Sequence, residues 1–172
     1  MIEIKLSQGA KPGHGGVLPG KKNTPEIAKI RGVVAGTTVL SPPSHSAFSD
    51  SKGLLDFVNQ LRELSGGKPV GFKMCIGKPE EFEDICEAMV ETGNYPDFIA
   101  IDGAEGGTGA APLEFANHMG IPLFVGLVMA DELLKKHNLR DKLKIIASGK
   151  IFSGFEMVKA ISMGADLCQT AR

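Results

Sequence analysis

The sequence predicts an α/β fold built on a parallel sheet, and three observations carry that expectation. From about residue 37 onward, short apolar runs alternate regularly with longer amphipathic ones, the pattern of repeated βα units. Glycine supplies 22 of the 172 residues without a three-residue period, so bare backbone is required at many separate places. The glycine-rich stretches follow predicted strands, at the end of a parallel sheet where such folds assemble their sites.

The candidate strands are residues 3–8, 38–41, 70–75, 98–102, 123–127, 144–148 and 167–170. Between them, residues 51–64 set Leu54, Leu55, Val58 and Leu61 at helical spacing, and Gly66-Gly67 supplies the stop. Residues 79–92 put Phe82, Ile85, Cys86 and Met89 on one face, with Pro79 suited to a first turn and Gly93 to the end. Residues 154–163, closed by Gly164, form the last helix, and residues 25–31 a shorter one. Each long helix reads as the return arm of a right-handed crossover. Residues 1–172 read as one domain, without a visible internal repeat.

Composition excludes several classes. A net charge of −1 carries no bulk attraction for nucleic acid, and 42% hydrophobic with 23% charged residues is a globular balance, not a disordered one. No uninterrupted apolar run of about 18 residues is present, so no membrane span is expected, and the charged, alternating first nine residues are no signal peptide. Cys75, Cys86 and Cys168 are an odd set without CxxC spacing. They encode neither a disulfide framework nor a zinc site, fit small buried hydrophobes, and suit a reducing cytoplasmic setting.

Four features carry chemistry. The segment GAKPGHGGVLPG, residues 9–20, reads either as an ordered functional loop holding Lys11 and His14 or as a flexible hairpin. IDGAEGGTGAAP, residues 101–112, lets backbone N–H groups approach a ligand directly after a strand. It lacks the GxxxxGK[ST] of a Walker loop, and a plain tight turn is the other reading. IIASGKIFSG and MGADLCQTAR, ending near Gly149 and Thr170, match the way barrels build a phosphate site after their last two strands. Lys73, in VGFKM, is a cation within an apolar strand. It either stabilises an anionic reduced cofactor ring or snorkels from a strand end to solvent.

Together, KLSQGAKPGHGGVLPG, IAKIRG, SPPSHS, the strand bearing Lys73, GGTGAAP, PLFVGL, SGKIFSG and GADLCQTAR resemble, in that order, the FMN-binding barrel domain of glutamate synthase and its shorter archaeal-type relatives. The resemblance implies a (β/α)8 TIM barrel of the FMN-linked oxidoreductase type, with FMN at its C-terminal face beneath a pocket for 2-oxoglutarate and its imine. Carried over position by position, it puts Gln8 and Lys73 at the pyrimidine side of the flavin and Asp102, Gly103, Gly107 and Thr108 along it. Gly149 and Thr170 fall at the phosphate, and Lys11 and Arg31 grip the keto-acid carboxylates. A cap of its own short helix is the other reading of Arg31. No metal ligands are expected here, and the family's iron–sulfur cysteines lie beyond this segment. An electron donor and an ammonia-supplying subunit are implied partners.

The chain departs from the family pattern at Val17 for Gln, His14 for Glu, Asp102 for Ser, Ala104-Glu105 for His-Asp, and Ser44 to Ala47 within SPPPHHD. Those changes bear on the substrate more than on the flavin. A barrel of this type needs about 250 residues, so six to seven strands are expected, with the first strands absent. Unsatisfied edges then favour a homo-oligomer or a complementing chain. The rival reading is a non-catalytic fragment or assembly subunit that keeps the barrel fold.

Overall fold

The computed structural model describes residues 1–171. Five strands form one parallel sheet in sequential order: β1 (Ile2–Lys5), β4 (Val70–Met74), β5 (Phe98–Asp102), β6 (Lys144–Ser148) and β7 (Leu167–Gln169). A separate antiparallel pair, β2 (Val17–Leu18) and β3 (Val39–Leu40), flanks α1 (Pro25–Arg31) within the long excursion after β1. The remaining helices are α2 (Ser51–Leu64), α3 (Pro79–Thr92), α4 (Leu123–Lys136) and α5 (Gly154–Ser162).

Three expected helices form as read, and their ends show why. Asp50 caps α2 by accepting from Gly53 N–H at 2.7 Å, and Gly66 and Gly67 leave it at φ 72° and 84°. Glu81 folds back to accept from the Gly77 and Lys78 N–H groups at the start of α3, which Gly93 ends in the left-handed conformation. Ser153 and Glu156 form a reciprocal capping box on α5.

Two expected strands are corrected. Residues 123–127 are the start of α4, whose buried Leu123, Gly126, Leu127, Ala130 and Leu134 recur at helical spacing. Its opening LFVGLVMA is apolar on its outer side too, with Val125 and Val128 exposed, so the period is hidden. Residues 38–41 contribute only β3, outside the parallel sheet, because Val39 and Leu40 pair with β2 in a mostly exposed antiparallel pair that brackets α1. The main sheet therefore has five strands instead of six or seven. β1 also stops at Lys5, where Leu6 and Ser7 N–H both donate to the Lys73 carbonyl and break the ladder.

Strand alternation divides the side chains between two faces. Ile4, Val70, Phe72, Met74, Ile99, Ile101, Ile145 and Ala147 face the helices and form the main core with α2 to α5. The other face holds the small cluster Phe98, Ala100 and Ile146, flanked by the polar Glu3, Lys5, Lys73, Asp102, Ser148 and Gln169. Gln169 on β7 donates to Glu3 on β1 at 3.2 Å, although these are the two edges of the sheet. Four steps of about 4.8 Å would set the edges of a flat sheet about 19 Å apart, beyond the reach of two side chains. The sheet is therefore rolled with this polar face inside.

At the N-terminal ends of the strands one device occurs twice. Asp97 accepts from Val70 N–H at 2.7 Å and from Arg62, which also donates to Tyr95 O. Asp166 accepts from Ile145 N–H at 2.8 Å and from Arg140, which also donates to Gly164 O. The N–H of each Asp returns a bond to the same neighbouring residue, Asp97 to Val70 O and Asp166 to Ile145 O. A structural repeat thus exists where none is visible in the sequence.

Candidate functional site

The loops leaving β1, β5 and β6 meet at the C-terminal end of the sheet around one carboxylate. Asp102, buried at the end of β5, accepts from Gly9 N–H at 2.7 Å and from the Ser148 hydroxyl at 2.8 Å. Gly103 N–H donates to Ser148 O, Gly106 N–H to Gly103 O, and Ala10 N–H to Gly106 O. Both Asp102 oxygens are engaged within the protein, so its side chain ties three loops together.

Bare backbone is needed at two points of that junction. A Cβ on Gly9 would lie 1.7 Å from the Gly103 carbonyl oxygen. One on Gly107, at φ 71°, would lie 1.6 Å from Gln8 Nε2. Gln8 thereby reaches across 99 residues to donate to Gly107 O at 2.9 Å. Thr108 follows directly, opening the short 3₁₀ turn Thr108–Ala110. Gly149, at φ 123°, follows β6 and packs near Gly103. The pairing of Ser148 with Gln169 sets Gly149 beside exposed Thr170, at the same end of the sheet.

Three ammonium groups gather on the inner side of this junction. Lys5 pairs in register with Lys73, and the two side chains diverge: Lys5 donates to Gln8 Oε1 at 3.1 Å, whereas Lys73 pairs with Glu3 at 3.2 Å. Lys73 is held inside the rolled sheet and does not snorkel to solvent. Partial burial, then the like charges of Lys73 and Lys11, hold the Lys5 ammonium below its ordinary 10.5, against the opposing pull of Asp102 and Glu3.

Lys11 shares with Lys5, Gln8, Gly13, Ser41 and Pro42 the wall of a cleft of about 250 Å³. A larger cleft of about 860 Å³ adjoins it across Leu6, Ser7, Gly13 and Pro43, running between the start of α2 and Cys75. None of the expected site residues lines that larger space; the polar donors converge on the smaller one. Arg31 sits exposed in the last turn of α1 and is not among the residues lining either cleft. His14 packs edge-on against Phe115, bridging the loops after β1 and β5.

The structure thus brings Gln8, Asp102, Gly103 and Gly107 into one bonded junction, with Gly149 packed against it and Lys73 and Lys11 beside it. Glu3, Lys5, Ser148 and Gln169 also belong here and were missed. The available signal was the alternation in IEIK, which puts Glu3 and Lys5 on one face of an edge strand.

Burial pushes the Cys75 and Cys86 thiols up to about 12, which leaves them small hydrophobes instead of nucleophiles. All three cysteines are free, and no group of three or more His, Cys, Asp or Glu among the described residues could hold a metal ion. Among those residues no helix is long and apolar enough to cross a membrane.

The family model for the conserved region in glutamate synthase matches residues 1–172. The chain belongs to the glutamate synthase family. It is 44% identical over 171 residues to the glutamate synthase large subunit-like protein YerD of Bacillus subtilis (strain 168), covering 99% of this chain and 32% of that protein. It is 40% identical over 166 residues to the archaeal glutamate synthase [NADPH] of Methanocaldococcus jannaschii, covering 96% and 32%. The ferredoxin-dependent glutamate synthase of Cyanidium caldarium is 38% identical over 167 residues, which cover 96% of this chain and 10% of that one. Among solved structures, a tetrameric deoxyribose phosphate aldolase from Aeropyrum pernix aligns with 70% of this chain and 46% of its own at a TM-score of 0.49 and 18% identity. The chain spans 32% of the length of its shorter glutamate synthase relatives, and the conserved region lies within larger proteins.

Proposed function

We propose that this chain forms part of the FMN-binding barrel of a glutamate synthase-type oxidoreductase, which reduces a 2-iminoglutarate-like imine, formed from 2-oxoglutarate and ammonia, to an amino acid such as glutamate. The observation that carries the reading is the gathering of Lys5, Lys11 and Gln8 around one small cleft at the C-terminal end of a parallel sheet, with Lys73 on the neighbouring strand, in a chain of this family. Those donors fit the group. Lys5 lies within the field of Lys73 and Lys11, and Asp102 is spent on Gly9 and Ser148, so the local charge suits an anionic ring and an acidic substrate.

FMN, when bound, supplies the hydride. Lys73 and Gln8 would hold the pyrimidine edge of the group, where the fixed Lys73 charge would favour added negative charge. Asp102 holds the loops that bring Gly103, Gly107 and Thr108 alongside the ring. Gly149 and Thr170, side by side after β6 and β7, offer backbone and hydroxyl donors to the phosphate. Lys11, on the wall of the smaller cleft, would bind a substrate carboxylate, and Arg31, which lies outside both clefts, would be the second cation for a dicarboxylate. Electron donor, ammonia supply and any iron–sulfur cluster belong to other segments or subunits, and the free thiols suit a cytoplasmic setting.

Reconstitution tests this directly. The protein, mixed with FMN and freed of excess by gel filtration, is expected to retain flavin absorbance and quench flavin fluorescence. A colourless protein would instead favour a non-catalytic assembly role.

A further inference from the structure

We propose that Glu3 and Gln169 are positioning residues for the Lys73 ammonium, an inference that rests on the flavin reading above. The starting point is an electrostatic conflict. Lys5 and Lys73 are direct partners in the parallel pairing of β1 with β4 and lie on the same inner face. Like charges placed opposite one another on a sheet repel, and here Lys73 is largely shielded from solvent while Lys5 is more exposed. The conflict is resolved by drawing the two ammonium groups apart. Gln8 takes Lys5 toward the glycine loops, and Glu3, two residues back along β1, takes Lys73 the other way.

Glu3 can do this only if its carboxylate is itself fixed. One oxygen meets Lys73 at 3.2 Å, and the other accepts from Gln169 Nε2 at 3.2 Å. Gln169 stands on the opposite edge strand, so the carboxylate of Glu3 is gripped from its neighbour β4 on one side and from β7, across the rolled sheet, on the other. Glu3 and Lys73 are each about one-fifth exposed by side chain, at 23% and 21%, so solvent screens the pair only partly. The same contacts set the Lys73 charge at one height inside the barrel wall. A cation intended for one edge of a planar ring needs that restraint, because a free lysine stem samples many positions. Gln169, one residue before Thr170, further links the ammonium to the strand whose end is assigned to the phosphate.

A purely structural staple between β1 and β7 would also use these contacts, so the test reads coupling. FMN affinity, by fluorescence quenching, and FMN midpoint potential, by spectroelectrochemistry, are measured for Glu3→Gln, Lys73→Met and the double variant. Glu3→Gln keeps the shape and a hydrogen-bonding group but removes the charge. It is expected to weaken FMN binding about three- to tenfold and to shift the potential in the native background, and to do neither in the Lys73→Met background. Gln169→Leu, which leaves both charges in place, is expected to move both readouts in the same direction by less, and serves if Glu3→Gln fails to fold.

Two results overturn the proposal: native-like affinity and potential in both Glu3→Gln and Gln169→Leu, or equal shifts with and without Lys73. A native protein that binds no FMN overturns the flavin reading itself. One that binds FMN without coupling overturns only the positioning role.

Discussion

The two ends of the sheet treat charge in opposite ways. At the N-terminal end Arg62 is matched to Asp97 and Arg140 to Asp166, carboxylates that each also receive a strand N–H, and Arg140 bonds Asp131 as well. At the C-terminal end Lys5 feels the like charges of Lys73 and Lys11, and Asp102, the buried carboxylate there, is used to tie loops. The first arrangement stabilises a fold, since its charges satisfy one another. The second concentrates like charge at the end of the sheet where parallel α/β folds assemble their sites, at a cost in repulsion that the fold itself does not need. Variants at the two ends should therefore fail differently.

The largest expected loss is at the more enclosed clamp. Arg140→Met leaves Asp131 and Asp166 facing each other with little solvent, and should cost about 3 kcal/mol in urea unfolding. Burial alone would raise both carboxyls. The Lys135 and Arg140 bonds to Asp131, and the Ile145 N–H and Arg140 bonds to Asp166, outweigh it and hold both below 3.8. Their contribution is thus fully present above 3.8 and lost as pH falls through the depressed folded values. The gap between native protein and Arg140→Met should accordingly narrow in acid; a gap constant down to pH 2 would contradict the assignment.

The equivalent change at the other clamp should cost less. The Asp97 side chain is 41% exposed against 23% for Asp166, so water screens the carboxylate that Arg62→Met would orphan. A loss of about 1–2 kcal/mol is expected in the same urea experiment. Neither arginine variant should change FMN affinity.

Much of this layout was legible in the sequence, and the exceptions have physical causes. α2, α3 and α5 combine one buried stripe with recognisable caps, so pattern and punctuation agree. α4 opens with apolar residues all around because Phe124, Val125, Val128 and Met129 line an outer groove with Met163 while Leu123 and Leu127 face the core. That hid its period and made its start look like a buried strand. The clamps could not be foreseen, because each joins residues tens of positions apart that leave no local mark. At the site, glycine loops and Lys73 stood out. Glu3 and Lys5 looked like the solvent face of an edge strand, since only the rolling of the sheet turns that face inward.

At the C-terminal end, Gly107→Ala tests the junction. A side chain at φ 71° costs about 1–2 kcal/mol, and its Cβ would displace the Gln8 amide. FMN affinity is expected to fall about tenfold, comparable to that whole cost, with a modest loss in thermal stability. Native affinity in Gly107→Ala would show that Gln8 has no part in holding the ring.

Lys5→Met should have the smallest effect on stability and so separates the two ends most sharply. A lysine held below its ordinary value is charged at a cost in the folded state, and that cost is greatest below the folded value and fades as pH rises toward 10.5. Removing the ammonium relieves partial burial and the repulsion from Lys73 and Lys11, and gives up the bond to Gln8. These effects oppose one another, so unfolding free energy at neutral pH should stay within about 0.5 kcal/mol of native. FMN affinity should nevertheless fall, because one of three converging positive charges is gone. The arginine clamps predict the reverse pattern, a large loss of stability with binding retained. If Lys5→Met destabilised the fold as much as Arg140→Met while leaving FMN affinity unchanged, the division of labour between the two ends would be wrong.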